Sequence, residues 1–268
     1  MYGKELRLSR LINQETKRLC IVPIDHGTTL GPIQGLVNSV DTISHLVNGG
    51  AEAVVLHKGL LAKVAKNPHL ANGRYLMHLS VSTNLSNFTG YKVLVGTVEE
   101  AVKLGADGIS VHINLGNEYE NEMITQLGLV SQACNEWGMP LLAMMYSHKN
   151  PKEPYHIQHV ARLGEELGAD ILKVDYPGSY EAMVDVVNSV QIPVLISGGA
   201  HTDDTEQLLY MISESLRAGA AGVSIGRNVF QGANPQEMTA LISKLVHGKL
   251  TYSECCKLMK AKKEGVLI

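Results

Sequence analysis

Cysteine is the first residue type of which the sequence has little. Four cysteines occur among 268 residues, none lies in a CxxC pair, and Cys255 directly precedes Cys256. Such a set is a poor disulfide framework, so we expect a reducing, cytoplasmic setting. The sequence also lacks any apolar run near the roughly 18 residues of a membrane span. Its polar, charged start, MYGKELRLSRL, does not have the pattern of a signal peptide.

An excess of charge of either sign is also absent. The formal net charge is −3, the pI is about 6.4, and no basic block stands out. We therefore expect neither nucleic acid nor a membrane as a partner, and any positive charge that binds a substrate must be local. Apolar residues make up 45%, with 26 Gly and 9 Pro, which is ordinary for a globular protein. The length suits one α/β barrel of roughly 250 residues, so we predict a single domain over residues 1–268.

A repeating pattern of short apolar runs and helical segments predicts the fold. The phrases NGGAEAVVLH, KLGADGISVH, ELGADILKV and RAGAAGVSIG each combine a helix end, a glycine C-cap, a short turn and a strand. Eight strands are predicted at residues 20–25, 53–57, 75–80, 108–112, 141–146, 171–174, 194–197 and 222–225, with helices at 40–47, 97–104, 120–137, 156–167, 180–190 and 203–218. No GxGxxG follows the first strand, so the repeat favours a single (β/α)8 TIM barrel over a Rossmann fold. Residues 85–95 show no clear pattern.

The active site of such a barrel lies at the carboxyl ends of its strands, and the sixth predicted strand carries Lys173. Alternation along the strand places Lys173 on the same face as Ile171 and Asp175. A lysine that points into the barrel is desolvated, which lowers the pKa of its amine and makes it a nucleophile toward carbonyl carbon. The alternative is a lysine that reaches solvent or pairs with Asp170 or Asp175.

Two further strand ends carry side chains that can move protons. Asp25 follows the apolar residues CIVPI, where a carboxylate can pair with the lysine and act in proton transfer. Tyr146 ends LLAMMY, and a tyrosine hydroxyl at that place can act as a general acid or base. The alternatives are a turn cap or simple ion pair for Asp25, and an amphipathic residue of the barrel rim for Tyr146.

Glycine-rich loops after the last two predicted strands indicate a phosphate site. Ser197, Gly198 and Gly199 follow the seventh strand, and Gly226 and Arg227 follow the eighth. Barrels commonly bind phosphate there with backbone N–H groups and a helix N-terminus. The guanidinium of Arg227 adds a charged pair of donors suited to phosphate oxygens. The alternative is a pair of tight turns with a surface arginine.

Three histidines at strand ends, His57, His78 and His112, admit two interpretations. Three imidazoles at a barrel mouth can bind zinc and support a metal-dependent aldolase or hydrolase. Their spacing matches no local metal motif, however, so we predict that they line the substrate pocket without a metal. His26 and Met144 are predicted to line the same pocket.

Taken together, these segments closely resemble the DeoC/FbaB-type class I aldolases over nearly the whole chain. The resemblance implies that Lys173 is the Schiff-base lysine, Tyr146 the proton-transfer residue and Asp25 the active-site carboxylate. It also implies donor phosphate at the last two loops, no cofactor, and rings of subunits such as pentamers or decamers. The matching segments are VPIDHG (22–27), GPI (31–33), GL (35–36), VLHKG (55–59), MHLS (77–80), SVH (110–112), MMY (144–146), ILK (171–173), SGG (197–199) and AAGVSIGRNVFQ (220–231).

Met144 and Met145 distinguish two subgroups of these aldolases. Archaeal-type fructose-bisphosphate aldolases usually carry Trp-Ser there, whereas Met-Met resembles the 2-amino-3,7-dideoxy-D-threo-hept-6-ulosonate synthases and related aldolases of aminohydroxybenzoate biosynthesis. That resemblance implies a donor such as dihydroxyacetone phosphate and an acceptor such as L-aspartate semialdehyde. The relatives usually continue Tyr-Pro-Arg-Gly, but this chain has Ser147, His148 and Lys149 after Tyr146, which leaves the acceptor open. The alternatives are a fructose-bisphosphate aldolase and a non-catalytic phospholigand-binding barrel.

Overall fold

The protein is described by a computed structural model that covers residues 2–85 and 90–263. The strands are β1 (Leu19–Pro23), β2 (Ala53–Leu56), β3 (Tyr75–His78), β4 (Ser80–Val81), β5 (Val93–Leu94), β6 (Gly108–Leu115), β7 (Leu141–Ser147), β8 (Ile171–Val174), β9 (Val194–Ser197) and β10 (Gly222–Ser224). The helices are α1 (Tyr2–Leu11), α2 (Gly27–Leu30), α3 (Ser39–Asn48), α4 (Lys58–Val64), a 3-10 turn (Pro68–Leu70), α5 (Val98–Lys103), α6 (Glu120–Trp137), α7 (Pro154–Glu166), α8 (Tyr180–Asn188), α9 (Thr205–Arg217), α10 (Arg227–Phe230), α11 (Pro235–Val246) and α12 (Tyr252–Lys263).

Eight parallel strands close into a barrel in the order β1-β2-β3-β6-β7-β8-β9-β10, with β10 paired to β1. The predicted (β/α)8 barrel and its eight strands are therefore confirmed. The six predicted helices are present as α3 and α5–α9, with ends within two residues of the predicted ones. None of the helices in the described ranges is both long and apolar enough to cross a membrane.

Local sequence explains several of these helix ends. Thr97 caps the start of α5, because its Oγ1 accepts a hydrogen bond from Glu100 N at 3.2 Å. In each recurring phrase one glycine after the helix end has positive φ, as the predicted left-handed C-cap requires, and these are Gly50, Gly105, Gly168 and Gly219. The short antiparallel ladder of β4 and β5 was not predicted, and it adjoins the residues 85–95 that have no clear pattern. Residues 86–89 of that segment lie outside the described residues.

Alternation along the strands sorts side chains between two layers of core. One set packs inside the barrel and includes Ile21, Val55, Leu142 and Ile171. The residues next to them in sequence point outward and pack against the helices. Strands buried on both faces need apolar side chains at nearly every position, which accounts for the short, continuous apolar runs.

Helix α1 closes the amino-terminal end of the barrel. Leu8 and Leu11 pack into the interior cluster of the strands. Lys4 fixes the helix to the barrel, because its Nζ lies 2.9 Å from Asp170 Oδ2 and donates to Asn135 Oδ1 at 2.7 Å. Asp170 is thus paired at the floor of the barrel and is not a partner for Lys173. With the floor closed, a ligand can enter only from the carboxyl ends of the strands.

Replacing Leu11 with Ala should lower the free energy of unfolding by about 2–5 kcal/mol, because the side chain is 0% exposed and its loss leaves a cavity in the floor. Urea denaturation measures the change. Leu6→Ala on the same helix is the matched control, since Leu6 is 58% exposed, and it should change stability by less than about 0.5 kcal/mol. Equal losses in the two variants would contradict the role of α1 as the floor.

Candidate active site

On several strands the inward-facing side chains change from apolar to polar toward the carboxyl end. On β7 the inner cluster contains Leu142 and Met144, and Tyr146 follows at the rim. On β8 it contains Ile171, and Lys173 is the next residue on the same face. The polar ends enclose a cavity of about 340 Å³ at the mouth of the barrel.

Most of the predicted site residues line this cavity. They are Asp25, His26, His112, Met144, Tyr146, Lys173, Ser197, Gly198, Gly199, Gly226 and Arg227. His57 and His78 do not reach it and lie behind Asp25 instead. Strands β6 to β10 and the segments that follow β1, β8, β9 and β10 therefore bring residues that are about two hundred positions apart in sequence into one cavity.

Lys173 is buried on the cavity wall, with 7% of its surface exposed. Burial lowers the pKa of its amine, the carboxylates of Asp25 and Asp175 oppose this shift, and Arg227 adds to it. Its Nζ lies 3.8 Å from the sulfur of Met144, which is only a weak acceptor. The surroundings therefore favour an uncharged, nucleophilic amine more than water does.

The carboxylate of Asp25 lies near two histidine rings. Its Oδ2 lies 3.6 Å from His78 Nε2, and its Oδ1 lies 3.6 Å from His26 Nδ1. Burial by itself would raise the pKa of Asp25, but His78, His26 and Lys173 outweigh that effect and hold the pKa below its usual range. Oδ1 is buried and has no hydrogen-bond partner among the described residues. Asp25 is thus an ionised acceptor that has one oxygen free for a ligand.

His78 and His57 support Asp25 from behind. His78 is 2% exposed, and burial lowers its pKa to about 3 despite the nearby Asp25. Its Nδ1 contacts Ser110 Oγ, which leaves Nε2 to face the carboxylate. His57 Nδ1 lies 3.1 Å from the backbone oxygen of His78, and a carbonyl only accepts, so Nδ1 carries the proton. Rings held in this way contact Asp25 and its surroundings and fix the orientation of its carboxylate.

Tyr146, on β7, lies beside His112, on β6. Their ring centroids are 4.7 Å apart, and His112 Nε2 donates to Asn114 Oδ1 at 2.9 Å. Burial raises the pKa of the Tyr146 hydroxyl well above its usual value, and Asp175 and Asp25 raise it further. The hydroxyl therefore keeps its proton at neutral pH and can donate it to a ligand oxygen.

The loops after β9 and β10 form a cradle of backbone groups. Asn228 joins them, because its Nδ2 donates to Gly198 O at 2.7 Å and to Ala200 O at 3.0 Å. Only glycine fits at position 226, where a Cβ would lie 2.4 Å from Pro23 O. Among the described residues, the backbone N–H of Gly198 and of Gly226 makes no hydrogen bond. These groups are free to bind an anion.

Arg227 lies beside this cradle and is only partly exposed. Its Nη2 donates to Gly199 O at 2.8 Å, which fixes the guanidinium across the two loops. Its Nε is buried and has no partner among the described residues. Arg227 is therefore not the surface residue of the alternative interpretation; it is held at the cavity with a donor unused.

The sequence did not identify five other polar residues that line the cavity, which are Thr29, Lys92, Asn114, Asp175 and Ser224. Asp175 was noted only as an ion-pair partner, although it continues the inward face of β8 and accepts a hydrogen bond from Ser197 Oγ at 2.6 Å. Period-two alternation would have found Asn114 from His112 in the same way. Lys92 had no comparable signal, because its segment has no pattern.

Zinc binding by His57, His78 and His112 was the alternative interpretation of these residues. In the described ranges, no group of three His, Cys, Asp or Glu residues is placed to hold a metal. A ring nitrogen of His57, His78 and His112 contacts a protein group in each case. The absence of a cofactor stays a prediction.

The three residues that depart from the Tyr-Pro-Arg-Gly pattern lie outside the cavity wall. Ser147 is buried and donates to Lys149 O at 2.5 Å, whereas His148 and Lys149 are exposed. His148 N donates to Leu115 O at 2.7 Å, which continues the pairing of β6 and β7. The loop is thus a compact turn, and neither of its basic side chains lines the cavity.

Comparison with known proteins agrees with this geometry. The profile of the DeoC/LacD family aldolases matches residues 19–232. The chain is 43% identical over 249 residues to the 2-amino-3,7-dideoxy-D-threo-hept-6-ulosonate synthase of Halobacterium salinarum, covering 91% of this chain and 92% of the relative. It is 38% identical over 255 residues to the 2-amino-4,5-dihydroxy-6-oxo-7-(phosphonooxy)heptanoate synthase of Streptomyces griseus, covering 93% and 92%.

Solved structures extend the likeness to the fold. A Schiff-base-forming fructose-1,6-bisphosphate aldolase matches with a TM-score of 0.82 at 27% identity, covering 91% of this chain and 99% of its own. An archaeal fructose-1,6-bisphosphate aldolase, whose catalytic lysine is covalently bound to a carbinolamine intermediate, also has a TM-score of 0.82 at 27% identity, covering 92% and 100%. The chain therefore belongs to the DeoC/LacD family of aldolases and is an enzyme of that class.

Proposed function

We propose that this aldolase forms a Schiff base through Lys173 and joins a phosphorylated ketose or triose donor, of the dihydroxyacetone phosphate type, to L-aspartate semialdehyde. One observation carries the proposal. The amine of Lys173 is buried, with a lowered pKa, on the wall of a cavity that also contains Asp25, Tyr146 and the cradle after β9 and β10. An amine of lowered pKa, a proton donor, a carboxylate and an anion site are the groups that imine-based aldol chemistry needs.

The proposed reaction begins when Lys173 Nζ attacks the ketone carbon of the donor. The resulting carbinolamine loses its oxygen as water and becomes a protonated imine. The imine withdraws electrons from the neighbouring carbon, which loses a proton to the phenolate that Tyr146 becomes after it protonates the leaving water, and an enamine remains. The enamine carbon then bonds to the aldehyde carbon of the acceptor, and water releases the product and restores the amine.

Tyr146 and Asp25 have complementary proposed roles in these steps. The hydroxyl of Tyr146 keeps its proton because burial raises its pKa, so it can protonate the oxygen that becomes a leaving group or an alcohol. Asp25 stays ionised and has a free oxygen, so it can accept a hydrogen bond from a donor hydroxyl. His78 and His57 hold Asp25 in place for this contact.

The product named for the Streptomyces griseus relative supports the choice of donor and acceptor. It is a heptanoate with a carboxylate and an amine near one end and a phosphate on the last carbon. Breaking that chain between its two hydroxyl-bearing carbons gives a ketose phosphate of the dihydroxyacetone phosphate type and an amino acid aldehyde. The single-domain boundaries, the cytoplasmic setting and the assembly into rings stay predictions from the sequence.

Replacing Lys173 with Met should abolish covalent trapping, because no other group of the cavity is proposed to form the imine. Borohydride treatment with dihydroxyacetone phosphate should give a stable adduct on Lys173 in the unaltered enzyme, and mass spectrometry locates it. Turnover should fall at least about a thousandfold in the variant. Lys103→Met, at an exposed position of α5, is the matched control and should keep both adduct and turnover.

The same experiment separates this enzyme from a phospholigand-binding barrel. Tight binding of the donor with no adduct would support the binding protein, and an adduct on a different lysine would refute the role of Lys173.

Replacing Asp25 with Asn should move the pH dependence of imine formation to lower pH. The carboxylate of Asp25 stabilises the charged form of Lys173 and so raises the pKa of that amine. Without it, the amine loses its proton at a lower pH and is nucleophilic at that pH. Trapping rates with dihydroxyacetone phosphate and cyanoborohydride, from about pH 6 to about pH 10, give the midpoint. Asp185→Asn, exposed on α8, is the control, and an unchanged or raised midpoint in Asp25→Asn would contradict the coupling.

A fructose-bisphosphate aldolase is the second candidate, because the matching solved structures include enzymes of that activity. A panel that pairs dihydroxyacetone phosphate with L-aspartate semialdehyde or glyceraldehyde 3-phosphate decides between them, with products read by mass. We expect kcat/KM for the semialdehyde to exceed that for the phosphate acceptor by at least about tenfold. Efficient formation of fructose bisphosphate with no semialdehyde product would favour the second candidate.

A further inference from the structure

One cation on the cavity wall has no part in the chemistry proposed for Lys173. Lys92 lines the cavity and is 8% exposed. Its Nζ donates to Ser82 Oγ at 2.8 Å, and this neutral hydroxyl is the one acceptor that the described residues give it. None of the ion pairs among those residues includes Lys92. Burial lowers the pKa of Lys92, the nearby carboxylate of Asp25 opposes this shift only in part, and a bound anion would offset the remaining cost of burying the charge.

The ladder of β4 and β5 holds Lys92 on one side of the barrel mouth. β4 follows β3 closely, and β5 pairs with it so that Val93 lies opposite Val81. The segment also contacts β6, because Asn114 Nδ2 donates to Gly90 O at 2.9 Å. In the ring of eight strands, the pair β3 and β6 lies opposite the pair β9 and β10, whose loops form the cradle. Lys92 and Arg227 therefore approach the cavity from opposite sides.

The proposed reacting groups lie between these two cations. Tyr146 and Lys173 stand on β7 and β8, which are the strands between β6 and β9 in the ring. Asp25 follows β1, which lies on the other arc, between β10 and β2. A molecule that spans the cavity from Arg227 to Lys92 therefore passes the amine of Lys173.

We propose that Lys92 binds the carboxylate of the acceptor aldehyde, while the loops after β9 and β10 hold the donor phosphate. This inference rests on the proposed function. It assigns Lys92 to the carboxylate end of the acceptor aldehyde, for which the proposed imine chemistry names no partner. Lys92 is thus an acceptor-binding residue that determines which aldehyde reacts.

The neighbours of Lys92 match a carboxylate better than a second phosphate. This side of the cavity carries one ammonium, that of Lys92. The amide of Asn114 uses one N–H to bond Gly90 O and has a second N–H left to donate. These donors suit the two oxygens and single charge of a carboxylate. The opposite side offers a guanidinium and unused backbone N–H groups, which suit the higher charge of a phosphate.

The test compares two acceptors of equal carbon number, L-aspartate semialdehyde and butanal, each with dihydroxyacetone phosphate. In the unaltered enzyme, kcat/KM should favour the semialdehyde by at least about tenfold, as expected for a hydrogen bond to a charged group. Lys92→Met should lower this preference by about 10- to 100-fold, chiefly through KM of the semialdehyde. Lys92→Arg should retain most of the preference because it keeps the charge, and Lys103→Met should retain all of it.

Borohydride trapping of dihydroxyacetone phosphate on Lys173 is measured in parallel. If Lys92→Met gives as much adduct as the unaltered enzyme, its donor chemistry is intact. A loss of the preference for the semialdehyde is then an effect on acceptor binding. The proposal is refuted if the unaltered enzyme does not prefer the semialdehyde, a result that needs no variant. It is also refuted if the preference survives in Lys92→Met, or if that variant loses glyceraldehyde 3-phosphate more than the semialdehyde. Absence of an adduct in the unaltered enzyme would instead refute the proposed function.

Discussion

Holding an amine inside a barrel that excludes most water is the constraint on which the rest of this site depends. The charged form of Lys173 is disfavoured by burial and favoured by Asp25 and Asp175, so the reactivity of the amine is set by the balance of these effects. Removal of both carboxylates would lower the pKa of the amine further, and would also remove the acceptor that Asp25 offers to a donor hydroxyl. Carboxylates that lay closer to the amine of Lys173 would keep that amine protonated. The spacing of side chains on neighbouring strands fixes this balance, and the hydrogen-bond register of the barrel fixes that spacing.

The same alternation that buries the core also places the chemistry. Most strands contribute apolar side chains to the closed lower half of the barrel, and β6, β7, β8, β9 and β10 contribute polar ones to the mouth. Helix α1 closes the lower end with Leu8 and Leu11, far from any reacting group. Stability and activity therefore draw on different residues of the same strands, as is general for this architecture.

Much of this arrangement could be read from the sequence, because period-two patterns are local. The position of Lys173 on the inward face follows from Ile171 and Asp175, and the loops after the last strands follow from their glycines. Non-local contacts could not be read in this way. Nothing near His57 or His78 in sequence shows that their rings pack behind Asp25, since that depends on Thr28 and Ser110 from other elements. Lys92 lies in a segment whose structure is set by pairing with residues next to β3, so no local pattern marked it.

The ladder of β4 and β5 is an excursion from the barrel wall between two adjacent strands, β3 and β6. Its length can change without shifting the pairing of any barrel strand, because β3 and β6 bond to each other directly. Evolution can therefore alter one end of the cavity while the imine-forming strands and the opposite loops stay untouched. A change of partner aldehyde among related enzymes would then require only insertions, deletions or substitutions in this one excursion.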